Sequence, residues 1–205
     1  MELKVCGLTK TEEVQFCVDN DVNYCGFILN YPKSHRFITL EKAQALTNIQ
    51  KKNSSFVGVL VKPTNKELET FSKLNFDYFQ LYGNYNRQDL IKIKKKFGKK
   101  IITAIQVREV KDIGKFKIHE AVSEIILWDS SGYEKSLSWN FNWVRSVKTI
   151  AKKMIAGNIT FDKLDDLAKI TDIIDVSGAL ETNKVKDINK IKKFITKIKQ
   201  INNEN

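Results

Sequence analysis

The stretch Lys4-Val5-Cys6-Gly7-Leu8-Thr9 predicts a buried strand that ends at a cysteine and leads into a helix. Its first residues are strand formers, and Gly7 adopts backbone conformations that other residues reach only at a cost. Thr9 and Glu12 have the spacing of a capping box, which predicts a helix start here. Parallel α/β proteins bind ligands at the carboxyl ends of their strands, so Cys6 is either a functional thiol or a small buried hydrophobic residue.

Eight short apolar runs recur along the chain, each followed by the pattern of an amphipathic helix: 3–6, 24–29, 56–61, 77–81, 101–105, 124–128, 153–156 and 172–176. This alternation implies right-handed βαβ crossovers and a parallel sheet. Eight units fit a closed (β/α)₈ TIM barrel, an α/β fold that begins at about 200 residues. A doubly wound sheet of about five or six strands is the alternative, and it leaves some runs unplaced.

The chain shows no linker, internal repeat or low-complexity tract, which predicts one domain over residues 1–205. The helices predicted in its second half include one near Val110, Ile113 and Phe116, one with Val144, Val147 and Ile150 on a stripe, one capped by Thr160, and the longest over about 188–198. Residues 202–205 are expected to fray, as chain ends commonly do.

The formal charge of +11 raises nucleic acid as a possible partner. Most of the cations are lysines on polar helix faces, and no binding motif interleaves them with aromatic residues, so we expect no nucleic-acid partner. Three cysteines do not form a disulfide framework, which indicates a reducing, cytoplasmic compartment. We also expect neither a signal peptide nor a membrane span, because no basic leader or long apolar run is present.

The ends of the predicted strands supply the candidate site residues: Cys6, Arg36, Gln80, Asp129, Gly157, Asp175 and Ser177. In barrels of this type the last two strands frequently form a phosphate site from backbone N–H groups, and Gly157 and Gly178 permit close approach of an anion. Arg36 suits a planar carboxylate.

No metal site is expected, because His35 and His119 are far apart and no Cys/His spacing is that of a zinc site. Nucleotide-binding glycine motifs and the serine nucleophile elbow are absent as well. An acid and a base without a cofactor indicate proton transfer of the kind found in isomerases, epimerases and lyases.

The chain resembles the phosphoribosylanthranilate isomerase family of tryptophan biosynthesis from Lys4 to about Lys190. The opening stretch 4–9 is the most specific motif, and the others follow in the right order: Ser34-His35-Arg36, Val57-Gly58-Val59, Gln80-Leu81-Tyr82-Gly83, Asp129, Phe141-Asn142-Trp143, Ala156-Gly157-Asn158-Ile159, Asp175-Val176-Ser177, Glu181 and Lys186-Asp187.

The resemblance implies a (β/α)₈ barrel that carries out an Amadori rearrangement of N-(5-phosphoribosyl)anthranilate without a cofactor. By resemblance, Cys6 is the general base and Asp129 the general acid. Arg36 binds the anthranilate carboxylate, and Gln80 and Asp175 are further substrate-binding residues. Gly157, Asn158, Ser177 and Gly178 bind the phosphate. The expected partner is this small molecule, and a monomer is favoured over a dimer.

The chain departs from the family pattern in its binding loops. Lys135-Ser136-Leu137-Ser138 stands where the family has a glycine-rich segment, and Asn142 replaces an aspartate. Tyr82 replaces a histidine, and His35 replaces a proline. The acid and the base are retained, whereas the loop after the sixth strand must differ in shape.

Two physical requirements follow from these roles. A thiol with an ordinary pKa of about 8.5 needs a positive neighbour to act as a base, and Lys4 should share a strand face with Cys6. The carboxyl group of Asp129 must have its pKa raised by burial, which Trp128 and the following loop would supply.

Two other functions remain open at this point: another phosphate-binding barrel enzyme, such as a sugar-phosphate epimerase or a lyase, and a barrel that binds anions without catalysis.

Overall fold

Eight parallel strands close into a barrel in the computed structural model, which describes residues 1–130 and 138–204. Each strand pairs with the next along the chain, and β8 closes on β1. The strands are β1 Glu2–Cys6, β2 Tyr24–Ile28, β3 Ser55–Val61, β4 Tyr78–Tyr82, β5 Lys100–Val107, β6 Ile125–Ser130, β7 Lys152–Ile155 and β8 Ile173–Val176. The predicted barrel is therefore confirmed, and closure excludes the doubly wound sheet.

Helical segments in the described residues surround the barrel. The α-helices are α1 Thr11–Asp19, α2 Leu40–Thr47, α3 Asn65–Ser72, α4 Arg87–Phe97, α5 Leu164–Leu167 and α6 Ile188–Glu204. Shorter 3₁₀ segments lie at Val110–Ile118, Phe141–Val144, Phe161–Lys163 and Gly178–Leu180. A small antiparallel hairpin, β9 Glu181–Thr182 and β10 Val185–Lys186, follows β8. None of the described helices has the length and apolar character needed to cross a membrane.

The N-cap of α1 lies one residue later than predicted. The N-cap is Lys10, and the carboxylate of Glu13 accepts hydrogen bonds from the backbone N–H groups of Thr9 and Lys10 at 2.7 and 3.1 Å. The predicted partner, Glu12, is exposed. The prediction was wrong because two adjacent glutamates offered the same local pattern, and only Glu13 turns its side chain towards the buried helix start.

The predicted helix after β6 is reduced to the single 3₁₀ segment Phe141–Val144. Val144 is fully buried, but Ile150 is 83 % exposed, so the predicted stripe does not face the barrel. Three of the four residues 147–150 are β-branched, which lowers the helix propensity of this segment. Thr160 precedes the 3₁₀ segment Phe161–Lys163 without a capping hydrogen bond from its side chain.

The carboxyl-terminal helix is longer than expected. It continues to Glu204, so residues 202–204, for which fraying was predicted, are helical. Ile201 is buried, and Asn202 accepts a hydrogen bond from the amino terminus of Met1 at 2.5 Å and donates one to the Met1 carbonyl at 3.0 Å. These contacts fix the last helical turn against the amino-terminal end of β1.

The core has two layers. The larger one lies between the outer face of the strands and the helices, and the smaller one fills the barrel interior. Successive strand residues alternate between the two layers because side chains in a strand point to opposite faces. In β1, Leu3 and Val5 face the helices, whereas Cys6 belongs to the interior cluster. The residues that face inward at the carboxyl ends of the strands are those that form the site.

Candidate active site

A cavity of about 330 Å³ opens at the carboxyl ends of the barrel strands. Most of the predicted site residues form its wall: Cys6, Arg36, Asp129, Gly157, Asn158, Asp175, Ser177 and Gly178. Tyr82 also lines the cavity. Gln80 does not; its side chain is 1 % exposed and lies behind Tyr82. Direct contact between Gln80 and a ligand in this cavity is therefore not supported.

Cys6 lies above a buried ion pair. Lys4 points inward from β1 because it is two residues before Cys6, and Asp175 is its register partner on β8. The Lys4 Nζ atom donates to Asp175 Oδ2 at 2.8 Å, and the Lys4 side chain has no solvent exposure. Both Cys6 Sγ and Lys4 Nζ lie against Gly26, where an added methyl group would be 3.1 Å from each. The predicted cation beside the thiol is present.

Lys4 does not by itself set the ionisation of Cys6. Burial raises the pKa of the Cys6 thiol above its ordinary value, and Asp175 adds to the rise, while Lys4 and Lys186 oppose it. The cation that the proposed base requires is therefore present, but the pKa of the thiol is still raised. Asp175 pairs with Lys4 and partly cancels its field, so desolvation determines the direction of the pKa shift.

Asp129 has the property expected of a general acid. Burial raises the pKa of its carboxyl group to about 6, although hydrogen bonds from Tyr82 and the Ser130 backbone act in the other direction. Tyr82 Oη donates to Asp129 Oδ2 at 2.6 Å, and Ser130 N donates to Oδ1 at 2.7 Å. Lys4 lowers this pKa and Asp175 raises it, both from across the barrel.

Trp128 does not contribute to the environment of Asp129 as predicted. Its side chain points outward to the helix layer, contacts the ring of Phe116 edge-on, and donates from Nε1 to the Ile113 carbonyl at 3.2 Å. Adjacent residues of a strand face opposite sides, so Trp128 and Asp129 cannot share a wall. The loop that was expected to help bury Asp129 falls largely on residues 131–137, which lie outside the described residues.

Arg36 reaches the cavity from the loop after β2 and is held by Glu181. Its Nε donates to Glu181 Oε1 at 2.5 Å and its Nη2 to Oε2 at 2.9 Å. Lys186 Nζ donates to the same carboxylate at 2.7 Å, and His35 Nε2 lies 3.1 Å from it. Although burial acts to raise it, the pKa of Glu181 is lowered to about 2 by Arg36 and Lys186. A guanidinium has five N–H donors, so Arg36 keeps donors for a ligand.

Another part of the wall, which adjoins Arg36 at Gly178, contains the residues predicted to bind phosphate. Gly157 has a φ of 104°, and a side chain there would approach Trp139 Nε1 to 2.9 Å. Trp139 Nε1 donates to the Ala156 carbonyl at 2.8 Å, which fixes this turn. Ser177 Oγ donates to the Cys6 carbonyl at 2.8 Å and so connects the ends of β8 and β1. Of the altered segment 135–138, only Ser138 is described.

Several site residues were missed by the sequence reasoning. Glu181 and Lys186 were noted as parts of motifs but given no role, because nothing local shows that the β9–β10 hairpin carries them back to Arg36. Tyr82 was noted only as a departure from the family pattern and was given no role. The signal that could have found it is its spacing of two residues from Gln80, which places both on one strand face.

Comparison with known proteins identifies relatives over nearly the whole chain. Residues 3–197 match the family described as N-(5'-phosphoribosyl)anthranilate (PRA) isomerase. An N-(5'-phosphoribosyl)anthranilate isomerase of Listeria monocytogenes is 33 % identical over 211 residues, covering 98 % of this chain and 100 % of that protein.

Solved structures with this fold include a monomer generated from the dimeric phosphoribosylanthranilate isomerase of Thermotoga maritima, with a TM-score of 0.84, 24 % identity and coverage of 98 % and 99 % of the two chains. A phosphoribosyl anthranilate isomerase in complex with reduced 1-(o-carboxyphenylamino)-1-deoxyribulose 5-phosphate has a TM-score of 0.81, 22 % identity and the same coverage.

Proposed function

The chain belongs to the N-(5'-phosphoribosyl)anthranilate isomerase family, and from this membership we propose how the residues of its cavity divide the reaction. The chain is an isomerase of tryptophan biosynthesis. It converts N-(5-phosphoribosyl)anthranilate to 1-(2-carboxyphenylamino)-1-deoxyribulose 5-phosphate, an aldose–ketose isomerisation. The observation that carries the proposed roles is that Cys6 and Asp129, far apart in sequence, line one cavity.

Asp129 begins the reaction as general acid. It donates its proton to the furanose ring oxygen, and the ring opens to a Schiff base. A pKa of about 6 supports this role, because a carboxyl group with an ordinary pKa near 3.9 holds too few protons near neutral pH.

Cys6 acts next as general base. It removes the proton from the C2 carbon of the former ribose, and the resulting enolamine tautomerises to the ketone. Because burial raises the pKa of the Cys6 thiol, the base is a minor thiolate form that Lys4 stabilises. Asp175 Oδ1 is buried at the cavity and has no hydrogen-bond partner among the described residues. A substrate hydroxyl that donates to this oxygen would weaken the field of Asp175 on Cys6 and favour the thiolate.

Different groups of the cavity wall bind the two charged ends of the substrate. Arg36 binds the anthranilate carboxylate through the donors that Glu181 leaves unused. The phosphate binds against Gly157, Asn158, Ser177 and Gly178, where the absence of side chains at two positions lets backbone N–H groups approach the anion. The positive net charge of the chain helps to collect this anionic substrate.

The loss of anthranilate fluorescence on rearrangement provides the assay for both roles. Cys6→Ala and Asp129→Asn should each lower kcat by ~10²-fold or more, the usual contribution of a positioned acid or base. Cys17→Ala, a buried thiol on α1, and Asp166→Asn, an exposed carboxylate on α5, serve as matched controls and should keep normal turnover. Near-normal turnover in both site variants would contradict the acid–base assignment.

The family match does not favour another phosphate-binding barrel enzyme. Complementation of a tryptophan auxotroph that lacks the isomerase separates the remaining cases. A barrel that only binds anions would retain phosphate affinity and fail to support growth, whereas the isomerase supports it.

We further propose that the protein is a monomer of the cytoplasm. Apart from Val110 and Ile118, which share one 3₁₀ segment, the exposed large apolar side chains of the described residues lie on different segments: Leu40, Ile91, Ile150, Phe161 and Val185. The three cysteines are free thiols, which supports a reducing compartment. Light scattering that gives twice 23.7 kDa would contradict the monomer.

A further inference from the structure

Tyr82 and Gln80 form a hydrogen-bonded chain that ends on Asp129, and the reaction scheme above gives neither of them a part. Gln80 Nε2 donates to Tyr82 Oη at 3.1 Å, and Tyr82 Oη donates to Asp129 Oδ2 at 2.6 Å. The exposed fractions of Gln80 and Tyr82 are 1 % and 7 %. A buried chain of this kind is held more rigidly than a surface contact.

The barrel geometry brings these three residues together. Gln80 and Tyr82 face inward on β4, and Asp129 lies two strands away on β6. The residue opposite Tyr82 on the intervening strand β5 is Ala104, whose small side chain leaves room for the phenol to extend across β5. A larger residue at position 104 would obstruct this path.

The donor direction along the chain is defined. Because the Gln80 amide N–H occupies an acceptor position on Tyr82 Oη, the hydroxyl hydrogen of Tyr82 is directed to Asp129. Burial raises the pKa of Tyr82 well above its ordinary value, so the phenol keeps its hydrogen throughout the working pH range.

We propose that Tyr82, oriented by Gln80, is a positioning residue that stabilises the carboxylate form of Asp129 as it gives up its proton. This inference rests on the proposed role of Asp129 as general acid. A hydrogen bond to an ionised carboxylate is about twice as strong as one to a neutral group, so the Tyr82 bond strengthens as negative charge develops. The Tyr82 hydroxyl lies within hydrogen-bond distance of Asp129 Oδ2 before the proton leaves, so only the hydroxyl hydrogen and the Gln80 amide change orientation during the transfer.

The unpartnered oxygen of Gln80 fits the same role. Gln80 Oε1 is buried and has no hydrogen-bond partner among the described residues. When Asp129 is protonated and donates to Tyr82 Oη, the hydroxyl hydrogen of Tyr82 needs another acceptor. A half-turn of the Gln80 amide places Oε1 at that position, so the pair serves both protonation states of Asp129.

Tyr82→Phe tests the proposal, since it removes only the hydroxyl. Asp129 also faces Lys4, which favours its ionised form, and Asp175, which opposes it; both remain in the variant. We expect kcat to fall ~10- to 100-fold, the effect of losing a bond to a charged group, with a much smaller change in KM. The acidic limb of kcat/KM, near pH 6 in the parent enzyme, should move upward by ~1 pH unit. Gln80→Leu should give a smaller effect of the same sign.

Tyr24→Phe is the matched control. Tyr24 is also a buried tyrosine of the barrel interior, but its hydroxyl donates to Glu2 at 3.2 Å, away from the cavity. A purely structural role for Tyr82 would lower the thermal midpoint in both variants and leave the pH profile unchanged. Tyr82→His keeps a ring N–H donor and should recover part of the lost kcat.

The outcomes distinguish this inference from the proposed function. If Asp129→Asn is inactive and Tyr82→Phe keeps the parent pH profile and kcat, the positioning role is overturned and the acid assignment stands. If Asp129→Asn retains full turnover, the acid assignment fails, and the positioning role fails with it.

Discussion

The buried ion pair between Lys4 and Asp175 is expected to determine both stability and thiol reactivity. Its atoms lie 2.8 Å apart, with side-chain exposures of 0 % and 5 %. At an effective dielectric constant of about 20, two unit charges at this distance attract by ~6 kcal/mol, most of which offsets the desolvation of the two ions. Removing one partner leaves the other buried and uncompensated.

Lys4→Met should therefore lower the free energy of unfolding by ~3–5 kcal/mol, and Asp175→Leu by a similar amount. The double variant Lys4→Met/Asp175→Leu leaves no charge at either position. Its loss of unfolding free energy should therefore be much smaller than the sum of the losses in the two single variants. We expect a coupling free energy of at least ~2 kcal/mol between the two positions.

Urea unfolding of the four proteins, with linear extrapolation to water, measures this coupling. Lys52 and Asp19 supply a matched surface pair with side-chain exposures of 48 % and 42 %. The same cycle on that pair should give a coupling below ~1 kcal/mol. Additive losses at Lys4 and Asp175 would refute the reasoning, because they would mean that the two charges do not depend on each other.

Three other predictions concern activity and local strain. The profile of kcat/KM against pH should be flat between about 6, set by Asp129, and the raised pKa of the Cys6 thiol, because the acid must be protonated and the base ionised at the same time. With an ordinary thiol pKa of about 8.5, at most ~0.3 % of the molecules have Asp129 protonated and Cys6 ionised at the same time. Cys6→Asp should therefore move the alkaline limb of the profile to lower pH. An unmoved limb would contradict the assignment of Cys6 as the base. Gly7→Ala should raise KM at least ~10-fold, because Gly7 has a φ of 78° and the new methyl group would lie 2.4 Å from the Cδ atom of Arg36. An unchanged KM would show that the position of Arg36 does not matter for substrate binding. Lys184→Gly should stabilise the β9–β10 turn by ~0.5–1 kcal/mol in urea unfolding, because Lys184 has a φ of 63°; a loss of stability would contradict this.

Local sequence patterns predicted the barrel well because each βα unit is determined by residues that are close together in the sequence. An apolar strand and the apolar face of the helix that follows it are both recognised from residues a few positions apart. Eight such strand–helix units are compatible with few topologies. The strand ends then gave Cys6, Asp129, Arg36 and Asp175 as candidates, and all four line the cavity. The local pattern gave the wrong capping residue at the start of α1, where Glu12 and Glu13 are both acidic and both close to the helix start.

The electrostatic state of the site was predicted only in part. The sequence placed Lys4 on the same face as Cys6, but it could not show that Asp175 pairs with Lys4 and reduces its effect on the thiol. Strand alternation already directs Trp128 away from Asp129, but the sequence could not show that Tyr82 reaches that carboxyl group. These outcomes depend on distances across the barrel, which no local pattern encodes.

The sequence by itself therefore determined the fold and the strand ends at which the thiol and the carboxyl group stand, because periodicity and turn residues act locally. Only the tertiary structure decided which charges face them. Barrel closure sets β8 beside β1, and the β9–β10 hairpin returns Glu181 and Lys186 to Arg36. The ionisation of buried groups follows from such contacts, since both desolvation and Coulomb energy depend on three-dimensional proximity rather than on position along the chain.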